Sequence, residues 1–277
     1  MQHILIPTDF SQNAWNATSY ALKFFKGQKV SFHFLHIDIS IQVNDSLDLH
    51  SAGPTFKKEI SKELKLKMKD WIQQVYTCCP NTKHTFKESI IQSTFIEGVR
   101  SYIKNHTIEF VIMGTKGASG IKEMTIGSKT GSVITRVRTP ILVIPEEATF
   151  KKPLNIGFPT DFNLKYNQKV INTLITVAEE HKSAIRVLRV AQTEKPLDNT
   201  QINNKGLLNE LLNTQHSFHE IENPNLEHGI QSFVTTLKID FIAMVAKNLN
   251  FYQRILFKPQ VEKISYHINI PFLILHE

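Results

Sequence analysis

The chain has 277 residues, 41% hydrophobic and 21% charged, with a net charge of +7. That balance describes a soluble globular protein of one large domain or two ordinary ones, and it excludes a disordered or fibrous chain. No run of about 18 apolar residues occurs, so no membrane span is expected, and the opening MQHILIPTDFS lacks the basic-then-apolar layout of a signal peptide.

From the N-terminus, HILIP predicts a strand. Ser11 is placed to cap the next helix, which carries Ala14, Ala17, Ala21, Leu22 and Phe25 at helical spacing. VSFHFLHI predicts a second strand. A helix over about Thr55–Val75 follows, with Phe56, Ile60, Leu64, Met68, Trp71 or Ile72 and Val75 on one face. Its other face is lysine-rich and holds much of the charge excess. Residues 1–148 carry 18 basic against 13 acidic side chains, and the remainder 14 against 12. Such a face usually solvates a docking helix. An acidic partner or nucleic acid is the other reading of that face, and for the chain as a whole no nucleic acid is expected. Cys78 and Cys79 are the only cysteines, adjacent at the helix end. They are too few for a secreted disulfide framework, read as an inert pair, and point to the cytoplasm. KHTFKES predicts a half-buried strand, TFIEGVRSYIKNH a helix, EFVIMG a buried strand, SVITRVR a helix and PILVIP the last strand.

The order then repeats. ILIPTDFS (4–11) returns as IGFPTDFN (156–163), IEFVIMGTKG (108–117) as IDFIAMVAKN (239–248), and TPILVIPE (139–146) as IPFLILHE (270–277). The offset is 152 at the start and 131 near the end, so the second copy is shorter in its middle. The expected boundary lies in EEATFKKP, giving domains 1–148 and 149–277. Alternating apolar strands and helices in each copy predict an α/β fold with a parallel sheet covered on both faces. Ligands bind such a sheet at the carboxyl ends of its strands.

Five of the chain's 11 glycines lie between Met113 and Gly131, directly after the fourth strand. Gly114 and Gly117 offer positive φ or close approach of a ligand to the backbone. Gly127 and Ser128 stand at a helix start, where free amides and the dipole favour anions, with Lys116, Lys122 and Lys129 nearby. Ser128 reads as that helix's cap. Gly120 and Gly131 receive no role. Neither GxxxxGK[ST] nor GxGxxG is matched.

The spacing that is matched is G-x2-G-x9-G-[S/T], at Gly114, Gly117, Gly127 and Ser128. With IPTDFS at the first strand and FLHI at the second, the chain resembles the universal stress protein family, in its ATP-binding branch, over both halves. The resemblance implies two tandem five-stranded parallel-sheet domains, Rossmann-like or flavodoxin-like, of the adenine nucleotide alpha hydrolase-like type. It implies ATP or another adenine nucleotide as ligand, with magnesium as an optional companion. It assigns Asp9 to the nucleoside, with Pro7 and Thr8 lining the turn. It assigns Ile37 to adenine and Met113 and Gly114 to the ribose. Gly117, Gly127, Ser128, Lys129 and Thr130 fall to the phosphates. Asp9 as a mere cap of the first helix is an equal alternative on sequence grounds.

In the second copy Gly114, Gly117, Gly127 and Ser128 become Val245, Asn248, Lys258 and Pro259. Valine blocks close approach and proline offers no amide. Asp161 alone survives, so the second copy reads as non-binding. Family members generally pair through the last strand, which here would join ILVIP to FLILH within one chain; a homodimer of such chains is left open. His216 and His219, three apart in a strand, face opposite ways, so no metal is expected there, nor at His33 and His36. No residue stands out as a general base for hydrolysis. The expectation is a cytoplasmic, ATP-binding stress-response protein with an unidentified protein partner, not an enzyme. The alternative is a structural or protein-interaction module of the same fold without nucleotide.

Overall fold

The computed structural model describes residues 1–39, 60–115, 127–192, 195–246 and 270–277. They form two compact units that divide between Thr139 and Pro140. The first contains β1 (Gln2–Pro7), α1 (Gln12–Phe24), β2 (Val30–Asp38), α2 (Lys62–Cys78), β3 (His84–Gln92), α3 (Phe95–His106), β4 (Phe110–Gly114) and α4 (Ser128–Arg136). Its strands lie in the order β3-β2-β1-β4 and all pair in parallel. Ile4 of β1 stands between Phe32 of β2 and Phe110 of β4. Ile4, Leu5 and Ile6 are consecutive and fully buried. Consecutive burial requires cover on both faces, which is why the strand reads as an unbroken apolar run. The chain leaves β1 toward β2 and later returns to its other side as β4. The switch point therefore opens at the carboxyl ends of β1 and β4.

The second unit contains β5 (Ile141–Ile144), β6 (Asn155–Pro159), α5 (Gln168–His181), β7 (Ala184–Ala191), α6 (Asn199–Leu211), β8 (His216–Glu222), α7 (Leu226–Thr236), β9 (Phe241–Val245) and β10 (Phe272–Leu275). Its order is β5-β10-β9-β6-β7-β8. The strands are parallel except that β5 runs antiparallel to β10, with Leu142 opposite Leu273. ILVIP and FLILH do pair, therefore, and every residue of β5 and β10 is buried.

Local chemistry sets the helix ends. Ser11 accepts the Ala14 amide and starts α1, as its sequence position predicts. Ser61, Thr94, Asn167 and Asp198 do the same for α2, α3, α5 and α6. The α2 helix runs from Lys62 to Cys78, one turn past the expected end at Val75. Its buried face is Met68, Trp71 and Val75, while Leu66 is exposed. Residues 55–59, assigned to this helix from the sequence, lie outside the described residues, and Ile60, expected on its apolar face, precedes the Ser61 cap and is not helical. Among the described residues no helix is long and apolar enough to cross a membrane.

Candidate functional site

The site begins with the turn after β1. Pro7 ends the strand and Thr8 is buried, its amide donating to the Leu35 carbonyl. The Thr8 hydroxyl accepts the Phe10 amide, and Asp9 Oδ1 accepts the Ser11 amide at 3.1 Å. Phe10 sits at φ 62°, unusual for a residue with a large side chain. Asp9 is thus held by the turn, and the cap of α1 is Ser11 rather than Asp9. On β2, His36 Nδ1 lies 2.9 Å from the Thr8 carbonyl oxygen, and the His36 ring stacks on Phe10 at 4.7 Å. Phe10 in turn meets Trp71 edge-on, and Trp71 meets Trp15.

The facing wall comes from β4 and α4. Gly114 ends β4 in extended backbone. A Cβ there would stand 3.0 Å from the Asn13 carbonyl oxygen. The missing side chain makes room for the start of α1, a protein contact where sequence reasoning invoked positive φ or a ligand. The Gly127 amide donates to the Thr115 carbonyl, and the Thr130 hydroxyl to the Gly114 carbonyl. These bonds draw the start of α4 against the end of β4. The N-cap of α4 is Gly127, with no side-chain cap, and Ser128 is the first helical residue. This corrects the expectation that Ser128 is the cap. Where α1, α2, α3, α5 and α6 receive a side-chain oxygen, no side chain among the described residues caps the N-terminus of α4, whose dipole favours an anion. Lys129 is exposed, with Nζ 5.4 Å from the centre of the Phe95 ring.

Between the walls lies a cavity of about 310 Å³ lined by Pro7, Thr8, Asp9, Ile37, Met113, Gly114, Gly127, Ser128, Lys129 and Thr130, together with Ala14, His36 and Phe95. Its volume lies at the lower end of the small-molecule range, about 300–1,000 Å³. The structure brings together ten of the eleven residues singled out from the sequence. The eleventh, Gly117, lies outside the described residues, as do Lys116, Gly120 and Lys122. Ala14 and Phe95 were not foreseen, because each reads as an ordinary helix residue, and His36 stood in the FLHI motif without being assigned to the site. Gly98 was also missed. A Cβ on it would meet the Ile37 side chain at 2.9 Å, so it lets α3 press Ile37 into the wall. The repeat held the clue: at the offset of 131 Gly98 aligns with Gly229, whose Cβ would meet Val190 at 2.6 Å.

The corresponding place in the second unit is built differently. Thr160 and Asp161 repeat the turn bonds to Phe162 and Asn163, and Phe162 has φ 58°. Val245, 3% exposed, replaces Gly114. By the repeat α5 would start after Asn163, but its cap is Asn167, four residues later. The intervening Tyr166 is buried and its hydroxyl bonds Thr160. From α6, Gln201 donates to the Asp161 carbonyl and Asn204 to the Phe162 carbonyl. Arg189, in the place of His36, pairs with Glu220. The polar groups of this turn are met from within the unit. Asn248, Lys258 and Pro259 lie outside the described residues.

Among the described residues no three His, Cys, Asp or Glu side chains gather to hold a metal. His216 and His219 lie in β8, as the sequence predicts.

Comparison with known proteins gives concordant results. The model of the universal stress protein family matches residues 1–145. Universal stress protein MJ0577 of Methanocaldococcus jannaschii is 27% identical over 150 residues, which are 51% of this chain and 93% of that protein. A universal stress protein from Archaeoglobus fulgidus DSM 4304 superposes with a TM-score of 0.67 at 14% identity, covering 99% of this chain and 98% of its own. A protein of unknown function from Pseudomonas aeruginosa PAO1 does so at 0.60 and 10% identity, covering 99% and 92%. These two share the fold across both repeats. With its family match over residues 1–145 of 277, the chain belongs to the universal stress protein family.

Proposed function

We propose that the first repeat, residues 1–148, binds ATP or another adenine nucleotide, and that the bound state regulates a protein partner under stress. The observation that supports this is the convergence of ten motif residues, distant in sequence, on one cavity at the switch point. The chemistry of its walls is complementary to the ligand. Asp9 offers a carboxylate to hydroxyl or amine donors of a nucleoside, and Ile37 and Met113 offer apolar surface. The α4 N-terminus and Lys129 offer amides and a positive charge to phosphates. A magnesium ion would be carried by the phosphates and water rather than by a protein cage. The second repeat, residues 149–277, is on this reading a non-binding copy. The role is regulatory rather than catalytic, so turnover of ATP is expected well below about 1 per second.

The test is isothermal titration calorimetry of the full chain with ATP, beside Asp9→Asn and Lys129→Met. Each variant is expected to weaken binding about tenfold, or about 1.4 kcal/mol. No heat of binding at millimolar ATP would overturn the reading in favour of a nucleotide-free interaction module.

A further inference from the structure

Cys78 ends α2 and Cys79 caps it, and neither lines the cavity. Cys78 is exposed and Cys79 partly so. Their Sγ atoms lie 3.3 Å apart, close enough for one thiol to donate to the other. Neighbouring residues hold their Cα atoms about 3.8 Å apart across a trans peptide. A relaxed disulfide wants at least about 4.4 Å, so direct bonding of this pair is strained.

A single atom seated between the sulfurs meets a different geometry. With bonds of about 2.3 Å, the zinc–thiolate length, sulfurs at the observed separation subtend about 90°. Tetrahedral zinc spreads two sulfurs to about 3.8 Å and takes two further ligands, and no such ligand group gathers among the described residues. A linear two-coordinate ion would need about 4.6 Å at the same bond length. A bite near a right angle suits a trivalent pyramidal centre, whose lone pair compresses its bond angles. We propose that Cys78 and Cys79 form a bidentate site for trivalent arsenic.

The chemistry balances without an oxidant. Two As–S bonds form, the As–O bonding they replace is broken, and the two thiol protons leave with oxygen as water. No atom changes oxidation state. Burial first, then the bond to Cys78, pushes the Cys79 thiol up to about 11, with Lys23 and Lys26 opposing. A thiol kept protonated is a poor target for peroxide. It still brings the proton that the condensation consumes.

Phenylarsine oxide, which offers arsenic two exchangeable positions, is the probe. Mixed in equal amount with the full chain, it is expected to give a one-to-one adduct by intact mass, lighter by one water than the sum. Both thiols should be lost to a thiol reagent; the chain has only these two. Cys78→Ser and Cys79→Ser should each weaken binding about 100-fold, the loss of one arm of a chelate. Retention of tight binding by either single variant would overturn the proposal. So would a wild-type adduct that consumes only one thiol.

Discussion

Replacing Gly114 by alanine tests how the site wall is built. The new Cβ would stand 3.0 Å from the Asn13 carbonyl oxygen and 3.4 Å from its carbon. Both are backbone atoms in the first turn of α1, so no rotamer change relieves the contact. The helix must shift by a few tenths of an ångström, against a face where Ala17, Ala21 and Leu22 are at most 2% exposed. Overpacking of this kind costs about 1–3 kcal/mol. For a unit of this size the melting temperature falls by roughly 3–12 °C. Urea unfolding followed by tryptophan fluorescence is the assay. Trp15 and Trp71 are the chain's two tryptophans, and their rings meet edge-on at 5.3 Å beside the site. The signal therefore reports the first unit. A variant within about 0.5 kcal/mol of wild type, the range of a neutral surface change, would refute the close-packing role of Gly114.

Two further predictions concern buried polar groups. His33 is fully buried, 2.9 Å from His3 Nδ1 and 3.1 Å from the Tyr102 hydroxyl. Burial, then Lys87, His3 and His106, lowers its pKa to about 4. The unfolded chain takes up the proton first, near pH 6.5, so this stability is full above that pH. It falls by about 1–3 kcal/mol as pH drops toward 4. His33→Gln should flatten the tryptophan-detected pH curve in that window, and an unchanged curve would count against the buried neutral imidazole. In the second unit, Tyr166→Phe removes the bond to Thr160. It should cost about 0.5–1.5 kcal/mol by calorimetry, leaving the tryptophan-detected unfolding in place. A calorimetric gain in stability would contradict the bond's role.

The parts of this molecule that sequence reveals are those where one residue type has one physical meaning. Ile4 to Ile6 read as a doubly covered strand because continuous apolarity has few other solutions. Ser11 reads as a cap because its hydroxyl is set where an amide is unmet. The spacing of Gly114, Gly127 and Ser128 after a buried strand located the cavity. Where a residue type has several meanings, the reading slipped. Gly114 lines the cavity, but its backbone has no positive φ, and a carbonyl of α1 also claims the space beside it. Ser128 reads as a cap because serine commonly is one, yet glycine also occupies that position, and here Gly127 does. Phe95 gave no motif signal, and His36 stood inside FLHI without a role of its own. They reach the cavity through the packing of α3 and β2, which no local pattern encodes.

Phe10 and Phe162 hold the same left-handed backbone, and Thr8 and Thr160 brace it with the same hydroxyl bond. In the second unit the turn keeps this shape although Tyr166 bonds Thr160. Its geometry is therefore set by the fold and not drawn into place by whatever binds. A molecule entering the first unit meets a wall whose conformational entropy was surrendered when the chain folded. Little of its binding free energy is then consumed in ordering that wall. Association at this surface is expected to be closer to docking than to moulding.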